Sequence, residues 1–529
     1  MPPKFLHTDT TWTRRRVLQG TLGGLAGVAA WQGWPPLQRA MAQKGTPTGQ
    51  MTWAMHFTLT PKWFDPAETG GLLTLTIGLY ALHDALVKPM PDGPMAPCLA
   101  TEWRESDDGL IYDFALRQGV KFQNGDPFTA EDVKFSFERY QGASAGALQQ
   151  LVKAIEIVHP HHLRFVLHEP WPDFLTFYAT PATAAGWIVP KNYTEKIGND
   201  AFQNTPVGLG PYRFVSYKPG IELVLEAYTD YWRKTPLVKR LVLKSVPEPA
   251  TRLAMLKQQE ADVTYAIYST LGEEVQRDKT LKLAPTLAGI QWGSFVDMYD
   301  PTSPWHDKRV RLAANHAINR QAINESETLG YSKLVGGIIP PTYDFALPWE
   351  PYAYDPKQAK ALLKEAGYAN GFDAGEYSCD AVYASVIEGV VNDLGAMGIR
   401  AKVQPLERAA IQGAQRDKKV KNLTLMGSGA PGNAATRVEA FMYSKGVQSF
   451  LKDPDIDQWF EQQSRERNHK KREELLHKIQ QKVYDEAYFL PIWQLGFLCV
   501  TGPRVAVSGL GLIPDYIYSA PYEDVRLKA

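Results

Sequence analysis

The densest group of potential metal ligands in the chain is His159-Pro160-His161-His162. Zinc-type coordination would need these imidazoles to converge with further ligands, and none of recognisable spacing stands nearby. The group falls inside the run Ile155 to Leu167, which reads as a hairpin, so the expectation is a solvated turn and no metal site. Nucleophilic chemistry has no better support. Ser428 lies between Gly427 and Gly429 without the wider spacing of a nucleophile elbow, and neither an HExxH pair nor a P-loop occurs. Triads assembled from distant positions stay open. Cys98, Cys379 and Cys499 are far apart, odd in number and without a CxxC pair, which predicts buried free thiols. No resident cofactor is expected.

A chain of 529 residues with 44% hydrophobic composition can bury more than one core. Its 14 Trp and 25 Tyr are enough to line a ligand cavity with rings, although core packing also uses them. Lys and Arg total 57, as do Asp and Glu, so no polyanion-binding surface is implied and nucleic acid is not an expected partner. Residues 1–42 hold five basic residues and one acid; without them 52 basic and 56 acidic residues remain, a charge near −4. That segment reads as targeting sequence. Thr13-Arg14-Arg15-Arg16-Val17-Leu18-Gln19 resembles the twin-arginine export motif, an apolar Gly-rich run follows to about Trp34, and Ala40-Met41-Ala42 offers a cleavage site. The apolar run is short for a membrane span and is interrupted by Gln32, Pro35 and Pro36. A disordered basic tail is the alternative. The expectation is a soluble periplasmic protein starting near Gln43, with no lipid anchor because no Cys stands at the cleavage point.

The elements that would position any site are most legible from Pro97 to Tyr140. A strand, a turn at Asp107-Asp108-Gly109, a second strand with Tyr112, Phe114 and Leu116 on one face, and a tight Asn124-Gly125-Asp126-Pro127 turn follow in order. A helix then opens with a Thr129/Asp132 capping box. Elsewhere the spacing predicts a strand over Met51 to Leu59, a helix through Leu79-Tyr80 to Leu86-Val87, and a helix after Asp307 with Val310, Ala313, Ala314, Ala317 and Ile318 inward. Asp355-Pro356 opens another helix that Gly367 stops, and one charged amphipathic helix is expected from about Ile456 to Ala487. Leu490-Pro491-Ile492-Trp493 then starts a return of the chain.

The segment PCLATEWRESDDGLIYDFALRQGVKFQNGDPFTAEDV resembles, nearly position by position, the pattern of the family 5 extracellular solute-binding proteins. Pro206-Val207-Gly208-Leu209-Gly210-Pro211-Tyr212 is similar to that family's P-V-G-T-G-P-Y. The stretch from Asp307 to Arg320 is similar to its D-x-R-V-R-x-A…A-I-D-R, with Asn319 in place of Asp, and Tyr354-Asp355-Pro356 to Tyr368 matches its Y-D-P…A-G-Y. The resemblance implies an α/β fold of the two-lobe periplasmic-binding-protein type II (cluster C-like), with an extra strand-rich subdomain in the first lobe. It places lobe I at 45–290 plus 491–529, the subdomain at about 85–200 and lobe II at 291–490, with hinge crossings near Ile290-Gln291-Trp292 and Leu490-Pro491-Ile492.

By the same resemblance, the function is that of a periplasmic receptor, a monomer. It would capture a small solute, peptide-like or otherwise, between the lobes and deliver it to an ABC permease in the inner membrane, without catalysis. Peptide-binding relatives carry an acidic anchor for the ligand ammonium where this chain has Gly427-Ser428-Gly429-Ala430-Pro431-Gly432-Asn433. An unpaired ammonium in a closed cleft is expensive, so a small neutral solute or an anion held by Arg437 and loop amides fits better; a plain flexible loop is the other reading. The ligand-contacting set implied is Gly71, Leu72, Trp292 and Met426 together with Ser428, Ala430, Arg437 and Trp493. Trp292 and Trp493 stand at the crossings, where they would stack on a solute or pack the hinge. The rival is a twin-arginine-exported periplasmic enzyme folded around a cofactor, which an absorbance spectrum would separate.

Overall fold

The computed structural model describes residues 45–68, 76–179, 183–429 and 432–528. The expected export segment, Gly71, Leu72 and Ala430 lie outside the described residues. Two mixed sheets organise the rest. The first has seven strands, with Thr48–Met55 running parallel to both Val238–Ser245 and Val263–Thr264. Its last five residues are all buried, as a strand covered on both faces requires. The second has five strands in the order Ile399–Leu406, Phe372–Asp380, Leu423–Ser428, Thr286–Phe295, Phe489–Phe497. The chain passes from Lys282–Leu283 in the first sheet to Thr286–Phe295 in the second, and returns from Phe489–Phe497 to Val500–Thr501.

A separate four-stranded antiparallel sheet holds Ala100–Glu105, Ile111–Leu116, His162–Leu167 and Val152–His159. The hairpin turn at Pro160-His161 is where the spacing places it, and His162 pairs with Asp113. Gly109 and Gly125 take the left-handed conformation at the two predicted turns. Asp132 reaches back to the Thr129 amide at 2.9 Å to begin the helix Ala130–Glu138. Asp307 and Asp355 cap Lys308–Ala317 and Pro356–Glu365 through amides two residues on. Cys98, Cys379 and Cys499 are buried free thiols.

Three predicted elements differ. The strand expected to Leu59 ends at Met55. The helix expected through Val87 is Thr76–Leu82. It stops because the Leu82 carbonyl, which would accept from residue 86, is taken by the Gly210 amide at 3.0 Å and Gln123 Nε2 at 3.1 Å. This close approach is why glycine stands at Gly208 and Gly210: a Cβ would lie 2.0 and 2.6 Å from backbone oxygens of 82 and 81. The single helix expected over 456–487 is two, Pro454–Arg465 and His469–Asp485. Glu466 is extended, Asn468 caps the second helix through the Lys471 amide, and Arg467 reaches out to Glu105 and the Asp107 carbonyl.

A buried network fixes the turn after Leu82. Asp84 and Lys88 form an ion pair with both side chains fully buried. Trp232 Nε1 donates to Asp84 at 2.6 Å, and the Lys88 ammonium lies 5.2 Å from the Tyr80 ring and 5.6 Å from the Trp187 ring.

Candidate functional site

In open α/β sheets, ligands bind outside the carboxyl ends of the strands, where chain ends leave a crevice. Here such ends from both sheets meet. His56 follows Thr48–Met55, and Tyr265 follows Val263–Thr264, in the first sheet. Asp380 ends one strand of the second sheet in register with Leu406 at the end of its neighbour, and Arg408 begins the helix Arg408–Arg416 two residues on. Tyr383 closes the short turn after Asp380.

The rings interlock. His56 lies 4.7 Å from Phe57, 5.5 Å from Phe497 and 6.0 Å from Tyr518, the last stacked. Tyr268 lies 6.4 Å from Phe497 and 6.2 Å from Tyr383, so an aromatic contact joins the two sides. The polar atoms are not used up. His56 is 5% exposed and neither ring nitrogen has a hydrogen-bond partner; Tyr268 is 9% exposed and its hydroxyl has none. Arg408 donates from Nη1 to Asp380 Oδ2 at 2.9 Å, while its buried Nε has no partner. Buried polar groups are nearly always bonded, so three in one place mark a position where a bonding partner belongs.

Arg252 holds the first side in shape. Fully buried, it donates to the carbonyls of Val246 (2.9 Å), Pro247 (2.6 Å), Tyr265 (3.2 Å) and Ala266 (2.8 Å). It thereby fixes a backbone in which Ala266 and Ser269 take positive φ on either side of Ile267 and Tyr268. Arg320 does similar work in the second sheet, bonding the Pro491 carbonyl at 2.6 Å and both oxygens of Asn315.

The sequence-derived site residues among those described are placed as follows. Trp292 and Met426 are cross-strand partners, and Trp493 sits opposite Gln291. Consecutive residues of a strand face opposite ways, so the two tryptophans point to opposite faces. Trp292 packs on Phe441 at 4.9 Å and donates to Ser294; Trp493 donates to Gln291 Oε1 at 2.8 Å. Both are fully buried. Ser428 is buried opposite Ile290. Arg437 is buried against Tyr343, donating to its hydroxyl at 3.0 Å. A partly open pocket of about 20 Å³ is lined by residues including Ile338, Trp349, Met442 and Phe489, room for about one water. Sequence reasoning missed His56, Tyr268, Tyr383, Arg408 and Tyr518. The one available signal was His56, the single ionisable side chain in the run Met51 to Leu59.

The model of the bacterial extracellular solute-binding proteins, family 5, matches residues 94–449. The chain belongs to that family. It is 27% identical over 482 residues to the glutathione-binding protein GsiB of Salmonella typhi, covering 88% of this chain and 92% of that one. The fold is that of solved type II binding proteins. The dipeptide-binding protein of Pseudoalteromonas sp. SM9913 in complex with Met-Leu superposes with a TM-score of 0.79 at 23% identity, over 91% of this chain and 100% of that one. NikA of Brucella suis in complex with Fe(III)-EDTA gives 0.78 at 23% identity, with the same coverage. No helix among the described residues of this family 5 protein is long and apolar enough to cross a membrane.

Electrostatics of the site follow from burial. Desolvation, reinforced by Arg408 and Arg252, holds the His56 imidazole well below its ordinary pKa, so it is neutral at pH 7. Burial opposes the Arg408 charge, but Tyr518, Asp380 and Tyr383 outweigh it and the guanidinium is harder to deprotonate than usual. Burial likewise lowers His83 to about 4. Both histidines take up protons more readily unfolded than folded. Their contribution is complete above pH 6.5 and is lost as pH falls below it, for His83 down to about 4. Thermal or urea melts at pH 7.5 and 5.5 are therefore expected to differ by about 1.4 kcal/mol per histidine. A stability that stays flat over this interval would contradict the burial of both rings.

Proposed function

We propose that this family 5 solute-binding protein is the periplasmic receptor of an ABC importer, exported by its twin-arginine segment and monomeric. It captures one small solute between two lobes, 45–290 plus 491–529 and 291–490, and presents the closed form to a permease. The supporting observation is the meeting of His56, Tyr268 and Arg408: two nearly enclosed side chains and one guanidinium nitrogen, from opposite sheets, with polar atoms left for a guest. Family membership favours a receptor over the exported-enzyme alternative. GsiB and the dipeptide-binding protein make peptide-like solutes one class to test.

Polar contacts between the two proposed lobes support such a closure. Asp173, 2% exposed, lies beyond the four-stranded sheet; it accepts from Asn433 Nδ2 at 2.8 Å and pairs with Arg472, which is also bonded to Gln463. These contacts join the proposed lobes through polar groups that water can satisfy when the lobes part. A solute touching both sides then shifts the balance by its extra contacts alone. A broad solute screen by melting temperature is expected to give at least one hit, worth about 2.7 kcal/mol of stabilisation at 100 times its Kd. Small-angle scattering with and without that hit should show a more compact bound form. A screen with no hit, or unchanged scattering with a proven tight ligand, counts against the reading.

A further inference from the structure

The residues that converge on the site also limit what it accepts. Charged groups facing the cluster are Arg408, Asp380 and, behind His56, Arg252. Asp380 is committed to Arg408 at 2.9 Å. Arg252 is engaged by four backbone carbonyls. Glu248 lies beside Arg252 and offsets its charge while accepting from the Ala250 and Thr251 amides, so both neighbouring carboxylates are already engaged and none is free to meet a cation. The unsatisfied groups are donors or neutral: the Arg408 Nε–H, the Tyr268 hydroxyl, and an imidazole held uncharged. Tyr383 adds a second hydroxyl beside the guanidinium. The remaining wall is rings, from Phe57, Tyr265, Phe497 and Tyr518.

We infer that the solute is a carboxylate with an apolar or aromatic body and no required ammonium, its carboxylate seated on Arg408 and the Tyr268 and Tyr383 hydroxyls and its body among the rings around His56. A guanidinium presents parallel N–H donors at the spacing of carboxylate oxygens, so one carboxylate can be held through both of its oxygens. Asp380 engages one terminal nitrogen and so orients the fork. A zwitterionic dipeptide would bring an ammonium into a site that offers it no counter-charge, and its desolvation would go uncompensated. The inference rests on the receptor reading but is narrower than it.

The test is calorimetry and melting shift on the protein purified under native conditions and freed of cargo by extensive dialysis. Probes are 3-phenylpropionate and indole-3-acetate, the methyl ester of the first, phenylethylamine, the dipeptide Met-Leu, and benzenesulfonate and phenylphosphonate as other anions. The carboxylates are expected to bind best, with the ester, amine and dipeptide at least about 10-fold weaker. Arg408→Gln should weaken 3-phenylpropionate by about 10- to 100-fold, with Arg408→Lys intermediate, and Tyr268→Phe by about 3- to 10-fold while keeping the ring wall. The melting temperature of each ligand-free variant reports folding separately. Met-Leu or the amine binding as tightly as the carboxylates, the sulfonate or phosphonate binding more tightly, or Arg408→Gln binding like the wild type, would overturn the inference and leave the receptor intact. No binding of any solute in the broader screen would remove both.

Discussion

Asp84→Asn is expected to destabilise the native state by about 3–5 kcal/mol, the cost of stranding a buried charge when one partner of an ion pair is removed. Lys88 and Asp84 are both fully enclosed, so no water can replace the lost carboxylate. Burial works against the Lys88 charge, and Asp84, with a smaller contribution from Glu523, outweighs it. The ring faces of Tyr80 and Trp187 remain, but they offer the ammonium only a quadrupole. The reverse removal, Lys88→Met, leaves Asp84 with the Trp232 indole N–H at 2.6 Å and should cost less. Urea unfolding of both variants and of the double Asp84→Asn/Lys88→Met separates the terms: the double should recover part of the loss. An Asp84→Asn protein within about 1 kcal/mol of wild type would mean Lys88 is not charged in the native state.

Arg252→Met should show the second large effect, and on two readouts. It leaves four carbonyls without this donor, of which those of Tyr265 and Ala266 are in buried bonds, and each buried group costs about 1–3 kcal/mol when nothing replaces the bond. Partial relaxation of the loops brings the expected total to about 3–5 kcal/mol. Because those loops present Tyr265 and Tyr268, affinity for whichever solute the screen identifies should fall further than stability explains. Arg252→Lys keeps a charge but cannot reach four acceptors in one plane, so it should rescue little. Chemical unfolding together with calorimetry on the folded fraction checks both. Unchanged affinity in a destabilised variant would show that Arg252 serves the core and not the site.

Where residues close in sequence decide the structure, their order was sufficient. The Asn124-Gly125 turn, the Thr129/Asp132 start of a helix, the Asp307 and Asp355 caps and the hairpin at 152–167 are made of groups a few positions apart. The differing elements ended where a distant partner intervened. Gly210 and Gln123 took the Leu82 carbonyl, and Asn468 restarted a helix while Arg467 reached for residues near 105.

What the amino-acid order determined by itself was the family, the alternation of strands and helices, and the absence of recognised motifs for turnover, because these depend on local spacing. It also placed Trp292 and Trp493 at the crossing strands, but not their facing, which follows from the pairing of Thr286–Phe295 with Leu423–Ser428 and with Phe489–Phe497. Only the tertiary structure brought His56 within electrostatic reach of Arg408 and Tyr268 beside Tyr383, over separations of 352 and 115 residues. The physical reason is that a site at strand ends is assembled by two sheets closing on each other. Nothing local distinguishes an arginine that caps such a gap from one that lies in solvent.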